Sequence, residues 1–83
     1  MKWIREVVTG GYINLDTMQH IFVSQNLDTD AGTACGVAAD DTGTERYYLH
    51  IVPYSNDIEK LNAVKKCRAF LEELMCRLDD TNH

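Results

Sequence analysis

"TERYYLHIVPYSNDIEKLNAVKKC", residues 44–67, holds the change of rhythm that decides the fold. As far as Val52 the residues alternate as in a strand, with Tyr47, Leu49 and Ile51 on one side and Tyr48, His50 and Val52 on the other. Pro53 has no N–H to give a ladder and is expected to end the strand. From Asn56 the spacing turns helical. Asn56 with Glu59 fits a capping box. Ile58, Leu61, Val64, Cys67, Leu71, Leu74 and Leu78 then recur at steps of three and four, with Phe70 and Met75 beside them. This spacing predicts a helix over 57–78. Glu59, Lys60, Lys66, Glu73 and Arg77 fall on the opposite side, with Glu73 and Arg77 one turn apart as a supporting ion pair.

Upstream, the chain reads as strands separated by turns. Trp3–Val8 is rich in β-branched and aromatic residues and stops at Thr9-Gly10-Gly11, where both glycines tolerate positive φ. Tyr12 and Ile13 resume the extended chain. Asn14-Leu15-Asp16-Thr17 is turn chemistry, because Asn and Asp side chains bond to nearby backbone amides. Gln19–Leu27 is a second extended run, with Ile21, Val23 and Gln25 on one face and His20, Phe22 and Ser24 on the other. After the Asp28–Asp30 turn, Ala31–Ala39 is a strand of small residues that lets another layer approach closely. Asp40-Asp41-Thr42-Gly43 is the next turn. Strands first and one helix last predict an α+β domain: an antiparallel sheet of four to five strands packed against one long C-terminal helix. The sheet is expected over about 2–54, the helix over about 57–78 and a frayed tail over 79–83.

Eighty-three residues fit one domain. So short a chain buries only about 60% of its unfolded surface, which favours self-association. A helix over 57–78 spans about 33 Å, against about 27 Å for an eight-residue strand. The overhang predicts a homodimer that uses Phe70, Leu71, Leu74, Met75 and Leu78. Arg5 and Glu6 interrupt any leader-like apolar segment, and no apolar run is long enough for a membrane helix. Cys35, Cys67 and Cys76 are odd in number, widely spaced and without a CxxC pair. A cytoplasmic protein with structural thiols and no membrane partner is expected.

The net charge of −5 argues against nucleic acid, whose binders show a basic footprint. Lys60, Lys65, Lys66 and Arg68 are interleaved with Glu59, Glu72 and Glu73 and read as a solvated helix face. The alternative is a single-strand binder that stacks bases on Tyr47 and Tyr48 beside Arg46. Its layout, a four-stranded sheet followed by a helix, is similar to that of the single-strand-DNA-binding transcriptional coactivators. Gly10-Gly11 lacks the helix and the Lys-Ser or Lys-Thr of a phosphate loop and reads as a hairpin corner. His20, Cys35 and His50 are the residues that could ligate zinc, but their spacing matches no paired-ligand pattern. His83 lies in the tail. Catalysis would need Cys35 with His20 or His50, or Asp40 with Asp41. No acid–base constellation converges in the sequence, so a non-enzymatic protein without cofactor is expected.

Trp3-Ile4, Tyr12-Ile13-Asn14-Leu15-Asp16, Ile21-Phe22-Val23 and the C-terminal amphipathic helix resemble a group of small uncharacterised bacterial and prophage proteins with an "INLD"-type turn. The resemblance covers most of the chain. It implies a sheet-plus-helix domain and brings no catalytic residues with it. The resulting expectation is a homo-oligomerising protein-interaction or regulatory module. A small-ligand or metal-binding domain is a further alternative.

Overall fold

The computed structural model describes residues 3–41, 43 and 45–80. Residue 2, Thr42, Thr44 and the 81–83 end of the expected tail, with His83, lie outside the described residues. Five strands and a helix follow in order: β1 (Trp3–Arg5), β2 (Tyr12–Asn14), β3 (His20–Thr29), β4 (Gly32–Asp40), β5 (Arg46–Pro53) and α1 (Asp57–Asp80). A 3-10 turn, Leu15–Thr17, joins β2 to β3. The α+β class and the antiparallel pairing are as the sequence predicts. The strands, however, form two sheets, an antiparallel β1–β2 pair and an antiparallel β3–β4–β5 sheet.

The split has a local cause. Trp3–Val8 is not one strand, because Glu6 ends β1. The Glu6 side chain is 4% exposed. Its carboxylate accepts the backbone N–H of Val8 at 2.8 Å and of Thr9 at 2.9 Å, and the Thr9 hydroxyl at 2.5 Å. Residues 7–9 are therefore drawn into a turn, closed by Glu6 N to Gly11 O at 2.7 Å and Gly10 N to Glu6 O at 3.0 Å. Of the glycine pair only Gly10 takes a positive φ, +78°. The Asn14 turn forms as expected, its Oδ1 accepting from Asp16 N at 3.0 Å.

Small residues make β4 the centre of the molecule. Cys35, Val37 and Ala39 face α1, while Ala34, Gly36 and Ala38 face the other way, and all are buried. Two irregularities reset the alternation on the flanking strands. On β3, Gln25 and Asn26 fall between the pairs Ser24↔Gly36 and Leu27↔Ala34, which returns Leu27 to the side of Phe22. On β5, Val37↔His50 is followed by Ala38↔Tyr48, so Leu49 is an extra residue. Both Leu49 and His50 therefore face α1, His50 stacked on Phe70 with ring centroids 4.6 Å apart. Val52 joins the α1 side and Ile51 leaves it, which corrects the simple alternation expected for this strand. Pro53 is the last paired residue, opposite Ala34.

The helix starts at the predicted cap. Asn56 Oδ1 accepts Glu59 N at 2.8 Å, while the Glu59 carboxylate reaches one residue further back, to Ser55 N at 2.8 Å. It runs two residues beyond the expected end, through Asp79 and Asp80. Its apolar stripe begins later than expected: Ile58 is 75% and Leu61 65% exposed. The steps 58, 61, 64 and 67 are all of three, and each drifts about 60° round a helix of 100° per residue. Ile58 therefore lies opposite Cys67. The stripe that packs is Ala63, Val64, Cys67, Phe70, Leu71, Leu74 and Leu78. Ile4, Ile13, Leu15 and Met18 of the hairpin region join the same core. Strand β3 is longer than expected, so α1, at about 36 Å, nearly matches its roughly 34 Å.

Candidate functional site

The two outer edges of the three-stranded sheet are treated differently. The β5 edge is engaged at Tyr48 by the chain itself: Val7 N donates to Tyr48 O at 2.8 Å, and the Tyr48 N–H is directed at the Glu6 carboxylate. Burial alone pushes the Glu6 carboxyl up. Its bonds to Thr9, Val8 and Tyr48 more than offset that and hold it below the usual carboxylate range. Glu6 thus ties the turn together and clips it to β5.

Strand β3 has no such cover, and among the described residues no strand pairs with its outer edge. From His20 to Leu27 the edge carries no Asp, Glu, Lys, Arg or Pro, the residues that usually protect an exposed edge. The helix above it can be oriented from its contacts. Phe70 stacks on His50 of β5, and Glu73 and Arg77 line a cleft with Ile4, Arg5 and Val7 of the hairpin. At 100° per residue, Leu61 and Met75 project on the opposite flank, toward β3, within about 40° of each other. Lys60 Nζ donates to Asn26 Oδ1 at 3.3 Å, which sets the first turns of α1 beside β3.

The sheet face turned away from α1 is organised by Arg46. Its Nε donates to Asp40 Oδ1 at 2.7 Å and its Nη2 to Asp40 Oδ2 at 3.1 Å. The guanidinium lies 4.9 Å from the centre of the Phe22 ring and also bonds to the Tyr48 side chain. Phe22 in turn stacks on His20, with centroids 4.6 Å apart. The hydrogen-bonded partner holds Asp40 below the usual carboxylate range and lifts Arg46 above its own. Arg46 is therefore already neutralised by a bidentate carboxylate.

The predicted site residues separate on these faces. Arg46 and Tyr48 share the open face, but Tyr47 packs against the core under α1, so the three do not form one stacking platform. His20 lies on the open face, whereas Cys35 and His50 lie under the helix. Among the described residues no group of three or more His, Cys, Asp or Glu side chains converges to hold a metal ion. Asp41 accepts Gly43 N at 2.8 Å, as turn chemistry requires, and Asp40 is committed to Arg46. Of the five residues expected at a dimer interface, Phe70, Leu71, Leu74 and Leu78 pack against the chain's own core, and Met75 is half-buried on the β3 flank.

Two of the three thiols are chemically quiet. Burial pushes Cys67 up to about 11, with neighbouring Cys35 adding to it. Burial also raises Cys35, with the Lys60 ammonium pulling the other way. Cys76 is exposed on the helix. Iodoacetamide should therefore alkylate the native protein at Cys76 alone and the denatured protein at all three cysteines. Intact mass and peptide mapping read this out, and rapid native modification of Cys67 would contradict the burial argument.

Glu6 is the residue that reading by period misses. The signal was present: an acid followed three residues later by Thr and then by Gly-Gly is a turn whose amides need an acceptor. Among the described residues no helix is long and apolar enough to cross a membrane. Comparison with protein-family models, with curated proteins and with solved structures returned no match to this chain.

Proposed function

We propose that the protein is a homodimer-forming interaction module of the cytoplasm, without catalytic chemistry of its own. The observation that carries the reading is the free, uncharged β3 edge beside the flank of α1 that presents Leu61 and Met75. Pairing of β3 with β3 of a second copy, antiparallel about a two-fold axis, joins two three-stranded sheets into one of six strands. The same operation sets the two helices side by side on one face, Leu61 and Met75 toward their counterparts. The unpaired backbone groups of the edge gain partners, and apolar side chains leave water. Three free thiols suit a reducing compartment.

Leu61 and Met75 are the informative positions, because Leu74 and Leu78 also hold the chain's own core. The wild type should sediment at twice the 9.4 kDa chain mass. The double variant Leu61→Glu/Met75→Glu should raise the dimer dissociation constant about a hundredfold or more while keeping the circular dichroism of the fold. Amide exchange along β3 should slow with protein concentration, and that along β5 should not. A wild type that sediments as a monomer at every concentration overturns the reading.

A further inference from the structure

Among the described residues no helix or further sheet covers the face of the β3–β4–β5 sheet opposite α1. Ala34, Gly36 and Ala38 form its floor and are covered only by side chains leaning in from the two neighbouring strands. At one end of it a cleft of about 390 Å³ is lined by Val8, Leu27, Tyr48 and Ile51, with Asp28 and Asp30 on its rim. Val8 is 64% exposed there, although it belongs to the turn that Glu6 locks in place. The apolar part of the surface is thus held by a rigid turn and by strands, and it is built before any partner arrives.

We propose that this cleft binds a basic polypeptide segment, one that rests an aliphatic side chain on the apolar surface of Val8, Leu27 and Ile51 and sets Lys or Arg side chains against Asp28 and Asp30. Charge selects this occupant. Asp28 and Asp30 stand at one end of the face, and Asp41 and Glu45 border the other. Among the described residues none of these four forms an ion pair, and Arg46, which shares the face with His20, is neutralised by Asp40. A second copy laid face to face would bring carboxylate rims together, and a nucleic acid would meet the same repulsion. A cationic chain with apolar anchors meets complementary charge at the rim and an apolar floor between. The inference goes beyond the dimer and does not require it, since the cleft belongs to a single chain and opens on the face of the sheet, although β3 supplies Leu27 and Asp28 to it.

The test is a titration of the isotopically labelled full chain with two short synthetic peptides, one alternating Lys and Leu and one alternating Glu and Leu. The Lys–Leu peptide should shift the amides of Leu27, Tyr48 and Ile51, and the Glu–Leu peptide should not. Asp28→Asn/Asp30→Asn should weaken Lys–Leu binding about tenfold. Val8→Lys, at an exposed position that spares the core, removes an apolar contact and sets a like charge against the peptide, so it should weaken binding at least as much. Leu61→Glu/Met75→Glu should bind as the wild type does, which separates this outcome from the fate of the dimer. Equal binding of both peptides, shifts confined to the helix, no shift at millimolar peptide, or an unchanged affinity in the Asp28/Asp30 variant each overturns the proposal.

Discussion

Replacing Gly36 by valine should remove about 3 kcal/mol or more of stability, the largest effect expected of any single substitution on the open face. A side-chain carbon at this position would sit 2.7 Å from Leu27 Cδ1 and 3.0 Å from the backbone oxygen of His50. Leu27 can swing its tip aside. The His50 carbonyl belongs to a strand paired with β4 and cannot retreat without opening the ladder beside the Leu49 bulge. Alanine adds one carbon and loses less, because stiffening the unfolded chain returns about 0.4–1 kcal/mol. Valine adds two further carbons in the same space. A chain of this length has roughly 4–12 kcal/mol to lose, so the valine variant should unfold at far lower urea than the wild type, with alanine between them. A wild-type midpoint for Gly36→Val would show that β3 and β5 are not held as close to β4 as described.

Glu6→Gln should cost about 2–3 kcal/mol and act first on the hairpin. An amide offers one acceptor oxygen where the carboxylate offers two, and its NH2 group would face either the donor of Val8 or the donors of Thr9. Amides of Ile4 and Ile13 should then exchange faster than those of β4. The effect depends on pH in a fixed direction. The folded carboxyl titrates below its ordinary value of 4.5, so its contribution is complete above that value. It fades as the pH falls through the lower, folded value. The stability gap between wild type and Glu6→Gln should therefore be widest near neutrality and narrow in acid. Asp40 and Glu59 are displaced in the same direction and will steepen the acid limb of both proteins equally. A gap that does not change with pH would mean that the charge on Glu6 is immaterial.

The helix, its cap and the central position of the small-residue strand were legible in the sequence because each depends on neighbours within a few positions. Asn56 caps Glu59, Glu73 meets Arg77 at 2.6 Å, and Ala34 to Ala39 are buried as their size suggests. The misreadings arose where one residue changes the count. Leu49 has no partner across β4, and nothing in the alternation of "RYYLHIV" marks it, since every residue there suits either face. The division into two sheets was hidden for a different reason. It depends on a carboxylate folded back on its own turn, and strand patterns carry no term for that. The exposure of Leu61 was hardest to read. Leu61 belongs to the apolar stripe by spacing and leaves it only through the accumulated rotation of three-residue steps.

The unequal edges of the sheet also limit growth. A strand edge is a connector, and a protein with two open connectors can add neighbours without end, as fibres do. Here one connector is interrupted from within by the Glu6 turn, at the N–H and C=O of Tyr48. The β3 edge is the other connector of this sheet, and it is the one the proposed dimer uses. A single buried glutamate thereby biases the direction in which the three-stranded sheet can be extended, from the far side of that sheet.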